Sequence, residues 1–210
     1  MIFAFGVLIS FSRGAWINFS VSLGMFGLLS FLFAPSYRSR VQWLLGSVAV
    51  LAVIVGGLAA SVSTDVLGDR FFQRAVLTQQ YDLEAGGRFD TQVQTLAQIG
   101  RDPIGVGPGR SGEEFGQVPH NLYLHVLVEA GWLGGLAFIA FLVLTGVRLL
   151  PFLFVAQNPL RDEIFLIFAC LTGQLVQSLF IDSTHWRHLW LLLALAWGIS
   201  IASKRASPAI

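Results

Sequence analysis

The chain is expected to be all-α, a polytopic membrane helix bundle of five full spans plus a partial first helix, carrying a long helical loop on the outer face. Three observations support this. Of 210 residues, 55% are hydrophobic and 12% charged, about half the charge of an ordinary soluble domain. The charges gather in a few places instead of spreading along the sequence. Between them lie apolar stretches close to the ~20 residues that cross a bilayer.

Residues 1–11 are apolar but lack a basic start and a small-residue cleavage site, so they make a poor signal peptide. Being too short to span, they read as the outer half of a helix. The chain is therefore expected to be a single membrane domain over 1–210, the C-terminal part of a longer architecture. The first full span, 14–34, stops at Pro35, and 41–60 follows a basic turn with Arg38 and Arg40. After a long polar stretch, 122–147 is the third span, apolar onward past Pro151 toward Val155. Spans 163–181 and 189–203 close the bundle. Eighteen Phe, six Trp and 22 Gly suit lipid-facing, closely packed helices. The single cysteine, Cys170, excludes an internal disulfide and reads as packing. A net charge of +1 gives no reason to expect a nucleic-acid partner.

Arg38, Arg40, Arg148, Arg161, Lys204 and Arg205 lie in one set of short loops and the C-terminus, while the opposite short loops hold Arg13 and Arg187. The positive-inside rule makes the first set cytoplasmic. The loop 61–119 then faces outward and is expected to carry the functional residues.

Within that loop, 65–80 sets Val66, Phe71, Phe72, Ala75 and Val76 among polar residues, as in an amphipathic helix lying on a membrane. Residues 89–100 repeat Phe89, Val93, Leu96 and Ala97 at helical spacing, closed by Gly100 and Pro103. A glycine-rich run follows over 104–116, and a new helix starts at Pro119-His120-Asn121. The G-x-G-x-x-G from Gly107 to Gly112 fails as a dinucleotide fingerprint, since no βαβ unit surrounds it. A tight loop bringing backbone close to a ligand or to the membrane face fits better.

The outer-face arginines are Arg13, Arg70, Arg74, Arg88, Arg101, Arg110 and Arg187, and arginine is well shaped to hold phosphate. Arg13 stands at a helix mouth, where the plain alternative is snorkelling to headgroups. Arg88 opens a helix after Gly86-Gly87, where a cation adds to the positive helix end and favours an anion. His120, at a helix start beside Asn121, is the best candidate for accepting a proton near neutral pH, against an interfacial capping role. His125 and Glu129 are spaced i, i+4 on one helix face, and a glutamate so far into an apolar segment is either paired or functional. Asp182, His185, Arg187 and His188 crowd a short turn with Trp186 and Trp190. Two histidines without a third ligand do not make a metal site, and no metal is expected.

These pieces together resemble the C-terminal half of the O-antigen ligase and Wzy-type polymerase family of bacterial membrane glycosyltransferases. The matching parts are Ser12-Arg13-Gly14, Gly87-Arg88, Arg101-Asp-Pro-Ile-Gly-Val-Gly-Pro-Gly109, His120-Asn121-Leu-Tyr-Leu124 running into Glu129-Ala-Gly131-Trp-Leu-Gly134, and Arg187-His-Leu-Trp190. Family members commonly carry about twice as many membrane helices, and many place a tryptophan where this chain has Phe89-Asp-Thr-Gln. The resemblance implies transfer of a glycan from an undecaprenyl-diphosphate carrier to an acceptor glycan or lipid hydroxyl, on the outer face of the cytoplasmic membrane, with no cofactor. Arg13 and Arg88 would stabilise the departing diphosphate and His120 would deprotonate the acceptor. Arg101, Arg110, Asn121, Glu129 and Arg187 would bind substrate. Two other readings compete: a transporter of inorganic carbon or another small solute, and a non-catalytic subunit that binds a lipid-linked glycan.

Overall fold

A computed structural model describes residues 6–7, 10, 12–62, 87–155 and 158–206. The amphipathic helix read over 65–80, with Arg70 and Arg74, lies outside the described residues. Among those described, the order is α1 (Arg13–Leu32), α2 (Tyr37–Val62), α3 (Arg88–Arg101), α4 (Ser111–Phe115), α5 (Leu122–Leu153), α6 (Arg161–Gln177) and α7 (Arg187–Ala206), with no strand. The all-helical expectation holds. Three helices, α1, α5 and α7, are long and apolar enough to cross a membrane. The other two expected spans, α2 and α6, are not among these three, and α6 has only 17 residues.

The core sits where α5, α6 and α7 meet, around Leu142, Leu149, Leu171, Leu189 and Leu193. A second cluster, Leu29, Phe152, Leu153, Ile164 and Phe165, ties the end of α1 to α5 and α6. Polar side chains join α1 to α6: the Asn18 amide donates to Gln174 Oε1 at 3.1 Å and Gln177 Oε1 at 2.6 Å. Gln174 Oε1 also contacts His188 Nε2 of α7 at 2.9 Å. Amides paired in this way hold apolar helices in register.

The helix ends segregate the charges. At one end Arg161 donates to Phe33 O at 2.8 Å, and Arg148 bonds Ser200 while lying 4.4 Å from the Trp197 ring centre. Lys204 and Arg205, in the last turn of α7, share that end. Arg13, Arg88 and Arg187 each begin a helix, and α1 and α7 run from the opposite end.

The third expected span, over 122–147, falls in a helix long and apolar enough to cross a membrane, but it carries a break. At Gly131 the backbone turns to φ 69°, ψ −174°, and α5 is two helices. Residues eight apart in a straight helix are about 12 Å apart, yet a Cβ on Gly135 would lie 2.8 Å from Leu127 Cα. The chain therefore doubles back, and 122–130 packs against the start of 132–153. The second part, about 33 Å long, is enough by itself to cross a bilayer.

Such a break leaves backbone groups without helical partners. The glycine-rich loop supplies them: Val106 N–H donates to Val128 O at 2.9 Å, Gly107 N–H to Glu129 O at 3.1 Å, and Trp132 N–H donates to Pro103 O at 2.9 Å. Contact this close requires both partners to be glycine. A Cβ on Gly131 would strike Ile104 O, and one on Gly105, itself at φ 88°, would sit 2.5 Å from Gly131 N.

Candidate functional site

Three chain segments converge where the short helix 122–130 begins. Asn121 caps it, its Oδ1 accepting from the Tyr123 and Leu124 amides at 3.0 and 3.1 Å. The Asn121 amide donates across to Leu179 O at 3.0 Å, and Leu122 N–H donates to Ser178 O at 2.9 Å. The cap thus also fastens the helix to the turn that joins α6 to α7. Asn121, read from the sequence as a substrate contact, spends its side chain on these bonds.

Arg13 reaches the same place from α1. Its neighbour Gly14 packs so closely on α6 that a Cβ there would lie 2.9 Å from Gln177 Nε2 and 2.8 Å from Ile181 Cδ1. Ser12 caps α1 through its hydroxyl, which accepts from Ala15 N–H at 3.3 Å. Arg88 begins α3, capped by Gly87. One turn on, Gln92 Nε2 donates to His120 O at 3.4 Å, and Gln117 Nε2 donates to Thr91 Oγ1 at 2.6 Å. These bonds place the start of α3 beside the 117–120 segment. Arg13, Arg88, His120 and Asn121 are half-buried, whereas Arg101, Arg110 and Arg187 are exposed. Arg101 closes α3 at its other end, where Ile99 O accepts from Trp132 Nε1 at 2.8 Å. Arg101 therefore stands apart, near the Gly131 reversal.

At the centre of this convergence lies a buried ionic cluster. His125, 6% exposed, has Nε2 3.0 Å from Glu129 Oε1 and Nδ1 3.0 Å from Asp182 Oδ2. The Nδ1 contact is an ion-pair distance without good hydrogen-bond alignment. Glu129 Oε2 accepts from Gly109 N–H at 2.9 Å and its Oε1 from the Ser111 hydroxyl at 2.7 Å. Asp182 accepts from the Thr184 amide at 3.0 Å and hydroxyl at 2.9 Å. Burial pushes the Asp182 carboxyl up, but contact with His125 and the two Thr184 donors outweighs it and holds the group below its ordinary value. The His185 ring lies edge-on to His125 with centres 6.5 Å apart.

The i, i+4 pairing of His125 with Glu129 was legible from spacing, and the glutamate is paired as its depth demanded. The third partner, Asp182, was seen only as part of a polar turn. Ser111 and Thr184 were missed; beside charged neighbours, a single hydroxyl in a loop gives no sequence signal. Among the described residues no group of three or more His, Cys, Asp or Glu could hold a metal ion.

The profile of the O-antigen ligase family matches residues 1–139. That range takes in Arg13, Arg88, the glycine-rich loop, His120 and Glu129. No curated protein matches the chain, and no solved structure does.

Proposed function

The chain belongs to the O-antigen ligase family, and from that membership we propose that it transfers a glycan from an undecaprenyl-diphosphate carrier to an acceptor hydroxyl at the outer face of the bacterial cytoplasmic membrane. The observation that carries this is the family match over residues 1–139, which takes in Arg13, Arg88 and His120, all three of them half-buried. In this reading the chain is one multi-pass domain of five spans, its 61–119 loop outside and its C-terminus cytoplasmic. The separation of basic residues between the two helix ends supports that orientation.

In the reaction, the acceptor oxygen bonds to the anomeric carbon as the bond from that carbon to the diphosphate breaks. Negative charge grows on the departing lipid diphosphate, so fixed cations stabilise the transition state more than the ground state. Arg13 and Arg88 take that role. His120 accepts the acceptor's proton as the new bond forms. Exposed Arg110 and Arg187 draw the anionic donor toward the mouth. An apolar groove of about 340 Å³ lined by Tyr123, Ile139, Leu142, Phe168, Leu171 and Leu175 runs between α5 and α6. Open to lipid, it suits part of an isoprenoid chain.

The test is an incubation of the purified protein in liposomes with a lipid-diphosphate oligosaccharide and candidate acceptors, following release of lipid diphosphate. Release is expected from wild type and is expected to fall roughly 10²–10⁴-fold in His120→Ala with membrane integration unchanged. The new attachment point of the glycan separates ligase from polymerase. Undiminished release by His120→Ala would remove the histidine from the proton step.

A further inference from the structure

His125 is buried, touches both carboxylates of its cluster, and has no part in the reaction above. Glu129 lies one turn on along the same helix, and Asp182 lies in the α6–α7 turn. Glu129 is bonded to the glycine-rich loop through Gly109 and Ser111. Asp182 is bonded within the α6–α7 turn through Thr184. The imidazole lies between them, 3.0 Å from each.

Both ring nitrogens lie 3.0 Å from a carboxylate oxygen, the Nδ1 contact at ion-pair distance without hydrogen-bond alignment, so each faces negative charge. A neutral imidazole has one N–H and would turn a lone pair against a carboxylate oxygen. The geometry calls for the imidazolium, one positive charge shared by two carboxylates. We propose that His125 is a positioning residue, a buried cation that pins the glycine-rich loop and the α6–α7 turn at fixed spacing across the mouth of the site. Arg110 and Ser111 ride on one side of the pin and Asp182 and Arg187 on the other. His120 and Asn121 stand at the start of the helix that bears it. The proposal deepens the glycan-transfer reading and rests on it for its kinetic consequence, but the pin itself is a structural statement that can be tested apart.

The substitution is His125→Gln. Glutamine has no charge and leaves two buried carboxylates facing each other without a cation. The compensating pair, His125→Gln with Asp182→Asn, removes one of those charges and lets the glutamine amide donate to Glu129 while its oxygen accepts from the asparagine. Spin labels placed on exposed Glu114 and Phe180, in a Cys170→Ser background, report the distance between loop and turn in liposomes. A narrow distance distribution is expected for the parent, a broad one for His125→Gln, and a narrow one again for the double variant. Turnover of the lipid-diphosphate donor is expected to follow the same order. Its loss should be at least tenfold in His125→Gln, mostly in kcat, with most of it recovered in the double variant.

If His125→Gln does not accumulate, Asp182→Ala, which frees the turn without adding buried negative charge, is expected to broaden the same distribution. An unchanged distance in whichever variant is measured overturns the pin. Lost turnover with unchanged distance and no rescue by Asp182→Asn also overturns it, making His125 a group that meets substrate. If the parent shows no transfer, the function reading fails while the distance measurement still decides the pin.

Discussion

Replacing Gly131 with alanine tests the reversal of α5 directly. The residue sits at φ 69°, ψ −174°, a region essentially restricted to glycine, and holding another residue there costs about 1–3 kcal/mol. The new methyl also strikes the backbone of Ile104 and comes within 2.6 Å of Pro103 O. Backbone cannot swing aside as a flexible side chain does, so the loop must move off. It would lose the bonds of Val106, Gly107 and Trp132 across the break, each worth about 1 kcal/mol. Together these give roughly 4–6 kcal/mol of local destabilisation. The assay is amide hydrogen exchange in detergent micelles, read at the amides of Val106, Gly107 and Trp132. Their protection is expected to collapse in Gly131→Ala. The control is Gly198→Ala, inside α7 with open space around a Cβ, where a gain of up to about 1 kcal/mol is expected. Wild-type protection in Gly131→Ala would refute the account of a glycine-capped break.

Three further outcomes follow from the same geometry. Asn121→Ala removes a helix cap and the bond to Leu179 O, and thermal unfolding should show a loss of about 1–2 kcal/mol. Arg88→Lys keeps the charge but not the planar fork, so the release assay should show it well below wild type and above Arg88→Ala; equal rates for lysine and arginine would remove phosphate recognition by the fork. A carboxyl held low in the folded state stabilises above its unfolded value of about 3.9 and loses that contribution as pH falls through the folded value. Melting temperature should therefore drop below about pH 4, and Asp182→Asn should flatten that drop.

Helix positions were legible because a bilayer imposes length and polarity on every stretch that crosses it. The starts at Arg13 and Arg88 and the end of the loop helix near Gly100 could be read from Ser12, Gly87 and Pro103. What escaped the sequence was contact between distant residues. Hydropathy runs smoothly across Gly131, since a reversal changes direction without changing composition. The glycine-rich run was read as backbone poised to approach a ligand or the membrane; the described contacts are with α5, both its backbone and the Glu129 carboxylate. Likewise His125 and Glu129 share one helix face and so could be paired on sight, while Asp182 lies beyond an entire intervening helix.

The amide of Asn18 has a consequence for how the protein is made. Its two acceptors, Gln174 and Gln177, are 156 and 159 residues further along the chain. At translation rates of about 5–20 residues per second, they emerge roughly 8–30 s after Asn18. During that interval α1 sits in or beside the bilayer with a polar group that none of its later partners can satisfy. It must stay near the insertion machinery, borrow water at the interface, or be held by another chain until α6 arrives. The polar side of α1 is thus completed only once α6 has been made, and the docking of α1 is timed by that later helix.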